Sequence, residues 1–548
     1  MANLVICCDG TWSTPEHVDD GLPAPTNVRK LFNALAPHDA DGIAQIVSYQ
    51  PGVGTEGGWW NRLVGGALGD GLVRDIERGY QRLAFYYRPG DRIFLFGFSR
   101  GAFTVRSLAG MIGCCGLLNI GEPALAPAEA WRRIDLAFAC YRKRRPTTEL
   151  ARLDFHDAPP AVGSSAGFVP GAGAATTPIH FIGVWDTVGA LGIPDDLAIL
   201  NLLDDRHDHA FHDTRLGPRV RHARHAVAID ERRQTFTPTF WTKPDGRALE
   251  DRDGVKQLWF PGVHSDVGGG YAQTGLSDGA LQWMVDEAEQ CGLAFRAGVK
   301  DQIVPDPRGI VHDPLTGIFA VLKSAPRGVP SFAGADAASR FHASALRRHR
   351  DPPLAQGDYW PTRVPDDEPI TVDIRACDRW TATHLFLDEG RYRMTASGQW
   401  LDGRIGYDPA GKADRTFAPA QILLAISSVL GRAEHLYRRL SGNDEADFWL
   451  TRRIEEYPWL ALVGVVANGR GIGADDVPLR HRTFLIGSGC TIDIAAGEGG
   501  YLHCFANDTW QTYANNHGAV ALRVERVAAP ATRPNHAPFA PDGVRTAV

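Results

Sequence analysis

Residues 91–112 read DRIFLFGFSRGAFTVRSLAGMI. The run RIFLF is apolar and rich in β-favouring side chains, which predicts a buried strand. The stretch AFTVRSLAGMI that follows predicts a helix. Between them stands Gly97-Phe98-Ser99-Arg100-Gly101, a G-x-S-x-G pentapeptide. A sharp turn from strand into helix forces its central serine into a strained backbone region, and the flanking glycines let neighbouring backbone come close. Ser99 is therefore expected at the carboxyl end of a sheet and the amino end of a helix, where N–H groups favour developing negative charge. That is the setting a nucleophilic serine needs.

Outward from this turn, the first 290 residues or so alternate short apolar runs with helical patterns. NLVICC, AQIVSYQ, DRIFLFGF, IHFIGVW and KQLWFPGV read as strands. Between Val73 and Tyr87, residues Ile76, Tyr80, Leu83 and Tyr87 recur at helical spacing. The pattern predicts an α/β-hydrolase fold, a mostly parallel sheet with flanking helices. From about Pro369 the runs TVDIRA, RYRMTAS, LALVGVV, HRTFLIG, GYLHCFA and AVALRVERV alternate and are separated by turn residues, which predicts an all-β sandwich. The domain boundaries expected are 1–365 for the hydrolase, with a flexible insertion at about 157–178, and 366–528 for the sandwich, with a helical insertion at about 417–447. The Pro- and Ala-rich tail 529–548 is expected to be disordered. Trp59 and Trp60 stand side by side in a Gly-rich segment and read as a packed loop in preference to a lipid-facing wedge.

A serine hydroxyl needs a base, and the base an orienting carboxylate. In this fold both follow the serine at strand ends, acid before histidine. IHFIGVW runs into Asp186, the candidate acid; KQLWFPGV runs into His264 within GVHSDVGGGY, the candidate base. His225 and His342 compete for the base, and Asp266 for the acid, unless it holds the loop. The oxyanion hole is expected to combine the backbone N–H of Arg100 with that of Gly10 or Thr11, in the loop CDGTW after the first strand, with Asp9 tying that loop down. No paired-carboxylate spacing supports a glycosidase, and no cofactor is called for in catalysis.

Composition narrows the classes. The 548 residues carry a formal charge of −7 with the signs interspersed, so there is no electrostatic footprint for nucleic acid. Nine scattered cysteines, without zinc-like spacing, read as reduced thiols and a cytoplasmic site of synthesis. No signal-peptide pattern and no uninterrupted apolar run of about 18 residues is visible, so export would be signal-independent and membrane contact peripheral.

CDGTW, GFSRGAFTVRSLAG, GVWDTVGALG, HAVAIDERRQTF and WFPGVHSDVGGGY, in that order, resemble the catalytic domain of the Tle1-like phospholipase effectors of type VI secretion, also called DUF2235. The resemblance covers roughly residues 1–365. It implies cleavage of glycerophospholipid acyl esters through Ser99, Asp186 and His264, with a lipid or other ester substrate, a membrane surface, and secretion-machinery or immunity proteins as partners. The segment FANDTWQTYANNHGAVALRV is similar to the calcium and galactose loop of PA-IL type bacterial lectins, which implies a Ca²⁺ site at Asp508, Thr512, Asn515 and Asn516 and a galactoside-type sugar as ligand. The carboxylate, amide and carbonyl oxygens of such a loop suit a hard cation. A tyrosine whose carbonyl helps hold the ion in those lectins falls near Phe386 or Leu387. Two alternatives follow: a calcium-dependent carbohydrate-binding protein whose hydrolase domain is degenerate, or an esterase for triglyceride, polyester or acylated sugar.

Overall fold

The computed structural model describes residues 1–10, 17–52, 67–160, 162, 177–188, 216–242, 249, 254–316, 323–366, 368–412, 452–469 and 479–527. Thr11, Trp59, Trp60, most of the insertion expected near 157–178, the helical insertion expected at 417–447 and the tail 529–548 lie outside the described residues.

The N-terminal sheet has six parallel strands: β1 (Asn3–Cys8), β2 (Gln45–Gln50), β3 (Arg92–Phe98), β4 (Ile179–Trp185), β5 (Val220–Ala228) and β6 (Val255–Phe260), in the order β2-β1-β3-β4-β5-β6. Parallel strands need crossovers, and helices α1 (Asn27–Ala34), α2 (Ala67–Tyr86), α3 (Arg100–Cys115) and α4 (Pro127–Arg142) intervene between them, while α5 (His264–Gly268) and α6 (Gly275–Gln290) follow β6. The pleat sends alternate side chains to opposite faces. Leu4, Ile6, Ile93 and Leu95 join Ile76, Leu108 and Ile134 in one core, whereas Val5, Cys7, Phe94, Phe96 and Phe98 join Val28, Leu31 and Met284 in another. Each fully buried apolar side chain contributes roughly 1.5–3 kcal/mol. With both faces covered, the strands read as nearly continuous apolar runs, which is why most were visible in the sequence.

The exception is β5, VRHARHAVA, whose arginines and histidines hide it. Its Arg224 is buried because Nε donates to Glu287 Oε2 on α6 at 2.6 Å. The β6 strand also ends at Phe260, short of the expected Val263, because Gly262 (φ 107°) turns the chain into α5.

The C-terminal strands are β7 (Ile370–Arg375), β8 (Thr381–Leu387), β9 (Gly390–Asp402), β10 (Ile405–Tyr407), β11 (Leu462–Ala467), β12 (Arg482–Leu485), β13 (Gly489–Ile494), β14 (Gly500–Ala506) and β15 (Asn516–Val527). They pair antiparallel as one sheet ordered β8-β14-β11-β12 and another ordered β10-β9-β15-β7, with β13 beside β9. Leu385, Leu462, Leu502 and Cys504 meet Ile374, Met394, Trp400 and Leu522 in the core between them. The expected sandwich is thus present. A further cluster joins Val227, Trp259, Val329 and Phe332 to Tyr501 of β14, so the two domains share apolar contacts. All nine cysteines are free thiols. Among the described residues no helix is long and apolar enough to cross a membrane.

Candidate active site

The strand order reverses between β1 and β3, and the crevice beyond the carboxyl ends of two such strands is where open parallel sheets bind ligands. Ser99 stands there, directly after β3, with φ 56° and ψ −123°, a region a non-glycine residue seldom occupies. Two contacts hold the strain in place: Ser99 N donates to Trp185 O at 3.1 Å and Ser99 O accepts from Phe103 N at 3.3 Å. The pentapeptide glycines are sterically required. A Cβ on Gly101 would lie 2.2 Å from Cys8 O, and one on Gly97 would lie 2.4 Å from Gly101 O. The first turn of α3 is therefore seated on the end of β1, with the amides of Arg100 and Gly101 beside the Asp9-Gly10 loop.

β4 pairs with β3, so Asp186, the first residue after β4, lies beside the serine turn. Its carboxylate is fully buried. Oδ2 meets His264 Nδ1 at 2.6 Å, and Oδ1 accepts from Ala228 N at 2.9 Å. His264, the first residue of α5, is buried too; its ring lies over Phe98 at 4.6 Å between centroids and meets Phe236 edge-on at 4.9 Å. Phe98 precedes Ser99, so this stacking brings the imidazole to the serine turn. With Nδ1–H donated to Asp186, Nε2 carries the basic lone pair. Burial disfavours the imidazolium, the bond to Asp186 and its charge favour it, and the balance leaves His264 below the ordinary histidine value. For Asp186, burial opposes ionisation, but the charge of Arg327 and the bonds from His264 and Arg327 outweigh it and hold the carboxyl well below the usual range.

Arg327 was not singled out in the sequence. Its Nη1 and Nη2 reach Asp186 Oδ1 and Oδ2 at 2.7 and 2.9 Å. Glu231 was missed as well: its Oε2 accepts from His264 N at 3.3 Å and pairs with Arg233 Nη2 at 2.8 Å. The duplicated arginines in IDERRQTF were the only local hint of buried charge.

The competing residues are placed elsewhere. His225 accepts from Thr187 N through Nε2 at 3.1 Å, and burial pushes it down to about 3, so it serves as a neutral brace under the acid loop. His342 is not beside Asp186: Nδ1 meets Ser344 Oγ at 2.8 Å and its ring stacks on Phe260 at 4.3 Å, capping the helix α7 (Ala343–Arg350). Asp266 does not orient His264 either. Its Oδ1 meets His312 Nδ1 at 2.6 Å and its Oδ2 accepts from Val263 N at 3.0 Å, so it holds the loop. Asp9 accepts from Thr26 Oγ1 at 2.6 Å and Tyr49 OH at 2.8 Å, tying down the loop after β1 as expected. It also takes the Gly10 N–H at 2.8 Å, which engages that amide within the loop; Thr11 lies outside the described residues.

In the sandwich, Asp508 is buried; Oδ1 accepts from Thr509 N at 2.7 Å and Oδ2 from Asn516 Nδ2 at 2.8 Å. Asn516 is fully buried, and its Oδ1 has no hydrogen-bond partner among the described residues. Asn515 Nδ2 donates to Asp402 Oδ1 at 2.7 Å, and Thr512 Oγ1 meets Thr509 Oγ1 at 2.8 Å. Burial raises both Asp402 and Asp508, and the charge of Asp402 adds to the rise at Asp508. An orphaned amide oxygen beside two carboxylates is a donor set that fits a hard cation. Backbone facing this loop includes Gly403, whose N donates to Asn515 O at 3.0 Å, Arg453, whose N donates to Asp508 O at 3.1 Å, and Ala376, whose O lies 3.4 Å from Asn516 Nδ2; none of these is Phe386 or Leu387. The latter pair lies on β8 in the opposite sheet, with Phe386 packed on Tyr501.

Comparison with known proteins adds a family. Residues 2–287 match the family described as T6SS phospholipase effector Tle1-like, catalytic domain. The chain belongs to that family. Ser99, Asp186 and His264 all fall inside the matched residues, whereas Arg327 and the sandwich lie beyond them. An uncharacterized protein of Saccharomyces cerevisiae is 31% identical over 253 residues, covering 44% of this chain and 33% of the yeast protein. Among solved structures, an uncharacterized protein from Pseudomonas aeruginosa is 17% identical over 56% of this chain and 49% of its own, with a TM-score of 0.32. The Tle1 effector bound to the VgrG spike is 19% identical over 50% of this chain and 51% of its own, with a TM-score of 0.28. The N-terminal domain of EclA, a PllA-like lectin, is 16% identical over 29% of this chain and 95% of its own, with a TM-score of 0.17. The chain thus spans a third of the yeast relative and about half of the first two solved structures.

Proposed function

We propose that this Tle1-like protein is a serine carboxylester hydrolase that cleaves acyl esters of glycerophospholipids through an acyl-enzyme on Ser99. The observation that carries the reading is the buried Asp186–His264 pair at 2.6 Å, stacked on the residue that precedes a serine in a strained strand-to-helix turn. Ser99 Oγ attacks the ester carbonyl carbon while its proton passes to His264 Nε2, and Asp186 stabilises the imidazolium through Nδ1–H. The oxyanion develops against the Arg100 N–H at the start of α3, with a second donor from the loop that follows β1. His264 then protonates the departing glycerol oxygen. Water, activated by the same nitrogen, releases the fatty acid and restores Ser99.

The phospholipid assignment comes from the family's description; triglyceride, polyester and acylated sugar are the competing substrates. A lipid and ester panel on the wild-type chain beside Ser99→Ala and His264→Ala tests both levels. Each variant is expected to lose on the order of 10⁴–10⁶-fold in kcat, and Ser99→Ala to lose labelling by a fluorophosphonate. Retained turnover in Ser99→Ala would sink the triad.

A second reading concerns the sandwich. Asp508, Thr512, Asn515 and Asn516 would hold Ca²⁺, supported by the unpartnered Asn516 Oδ1. The ion would supply the coordination through which a sugar's hydroxyls are held; the acyl transfer does not need it. Calorimetric titration of the full chain with Ca²⁺ is expected to show binding that Asp508→Ala removes. The family's description as type VI effectors suggests a component of the secretion machinery as partner, which a pull-down with purified VgrG would check.

A further inference from the structure

Arg327 sits on a segment that belongs to neither sheet, and among the described residues the polar contacts of its guanidinium lie in or beside the acid's site. Besides the two bonds to Asp186, Nη1 donates to Ala228 O and Nη2 to Phe236 O, both at 2.6 Å. The planar fork therefore fixes the plane of the carboxylate, leaving Oδ2 aimed at His264, and ties it to the end of β5 and to the ring that walls the imidazole. A carboxylate held only by its histidine could rotate about its Cβ–Cγ bond. This one is held at both oxygens.

The segment that carries Arg327 is held from both domains: on the hydrolase side Ala325 N donates to Arg232 O at 2.8 Å and Lys323 O accepts from Gln234 N at 3.1 Å, and the C-terminal sandwich supplies the rest. Upstream of Arg327, Trp380 Nε1 donates to Ser324 O at 2.9 Å, and His481 Nε2 meets Pro326 O at 2.7 Å. Downstream, Tyr501 OH accepts from Phe332 N at 3.2 Å, while Val329 and Phe332 pack in one cluster with Tyr501. The domain linker makes a parallel attachment on the histidine side. Tyr359 OH and Trp360 Nε1 each donate to Asp230 at 2.8 Å, and Asp230 Oδ2 in turn accepts from Gly262 N at 2.7 Å, two residues before His264.

We propose that Arg327 is a positioning residue for the triad acid and that the sandwich completes the frame that holds it there, so that the two domains form a single catalytic unit. The proposal rests on the Ser99–His264–Asp186 reading above. It gives the sandwich a duty that is independent of any sugar or cation.

The charges around His264 make the role measurable. Asp186 is balanced by Arg327 and Glu231 by Arg233, all four buried beside the imidazole. Arg327→Met removes one positive charge and the fork together. The uncompensated Asp186 then favours the imidazolium, so the acid limb of kcat/KM moves to higher pH. Loss of alignment lowers kcat, on the order of 10²-fold for a displacement of about 1 Å. Arg327→Lys keeps the charge without the bidentate fork and is expected to leave the limb near its wild-type position while kcat still falls. A contact that served folding alone would lower the active fraction and leave the limb where it was.

The experiment measures kcat, KM and pH profiles with a soluble p-nitrophenyl acyl ester on full-length Arg327→Met, Arg327→Lys and the double variant Trp380→Phe/Tyr501→Phe, beside Ser99→Ala, with circular dichroism to confirm folding. The double variant, which keeps an aromatic ring at each position and loses the two bonds to the segment, is expected to lower kcat several-fold without raising KM. Wild-type kcat and profile in a folded Arg327→Met, while Ser99→Ala is inert, would overturn the positioning role. Wild-type kinetics in a folded double variant would overturn the frame. Turnover in Ser99→Ala would instead bring down the triad itself.

Discussion

Gly268 closes α5, and a Cβ placed on it would stand 1.9, 2.2 and 2.3 Å from Cε2, Cδ2 and Cζ of Phe98. Ordinary contact begins near 3.4 Å, so in Gly268→Ala the Phe98 ring must withdraw by about 1.5 Å. That ring has little room to go: Phe98 is buried, packed with Trp185 and Val267, and lies under the His264 imidazole. The alternative is for α5 to lift, and α5 begins with His264. Either response moves the base relative to Ser99. Overpacking of this kind costs typically 1–3 kcal/mol, and a misplacement of about 1 Å costs on the order of 10²-fold in rate. Gly268→Ala is therefore expected to lower Tm by several degrees and kcat by roughly two orders of magnitude, with KM for a short soluble ester little changed. The cause can be isolated by a double-mutant cycle with Phe98→Ala, which removes the obstructing ring. If the clash is the mechanism, the two changes are non-additive by about 0.5–3 kcal/mol, the double variant being no worse than Phe98→Ala alone. Additive losses, or a Gly268→Ala enzyme within twofold of wild type, would refute the reasoning.

The burial that lowers His264 is not fully offset by Asp186 and Glu231, which raise it, and is reinforced by Arg233. The base must be neutral to act, so the acid limb of kcat/KM for the wild-type chain should have its midpoint below the ordinary histidine value of 6.5; a midpoint above it, from rates across pH 4–9, would contradict the electrostatic picture. In the sheet, Glu287→Ala should destabilise the fold by about 3 kcal/mol in denaturant unfolding, because it strands the buried Arg224 whose Nε lies 2.6 Å from Glu287 Oε2. A loss under about 1 kcal/mol would mean that the Arg224 bonds to Ala223 O and Gly254 O suffice.

Local signals were legible where physics is local. The G-x-S-x-G turn could be read because strand, strained residue and helix are consecutive, and the two glycines answer contacts within the turn itself and with the adjacent β1 end. Asp186 and His264 could be read because each follows an apolar strand almost at once. The β5 strand was hidden because Arg224 and His225 are buried through partners at Glu287 and Gln257, which no window of sequence contains. The same holds for the rejected residues. Nothing local distinguishes Asp266 from Asp186; what separates them is that one meets His312 and the other His264.

Arg327 takes this furthest, since 141 positions separate it from the acid it grips. Its neighbours in sequence, SAPRGVPS, carry no periodicity and would pass for a linker. A buried ion pair contributes little net stability, because desolvating two charges offsets most of their attraction. The pair is therefore better explained by what it fixes than by what it stabilises: the orientation of a carboxylate whose only other side-chain partner among the described residues is the base. Apolar replacements of both residues could fold as well, but neither could keep His264 Nδ1 protonated and aimed. That the segment bearing Arg327 is bonded to Trp380, His481 and Tyr501 means that a domain beyond the matched family residues takes part in setting the geometry inside them.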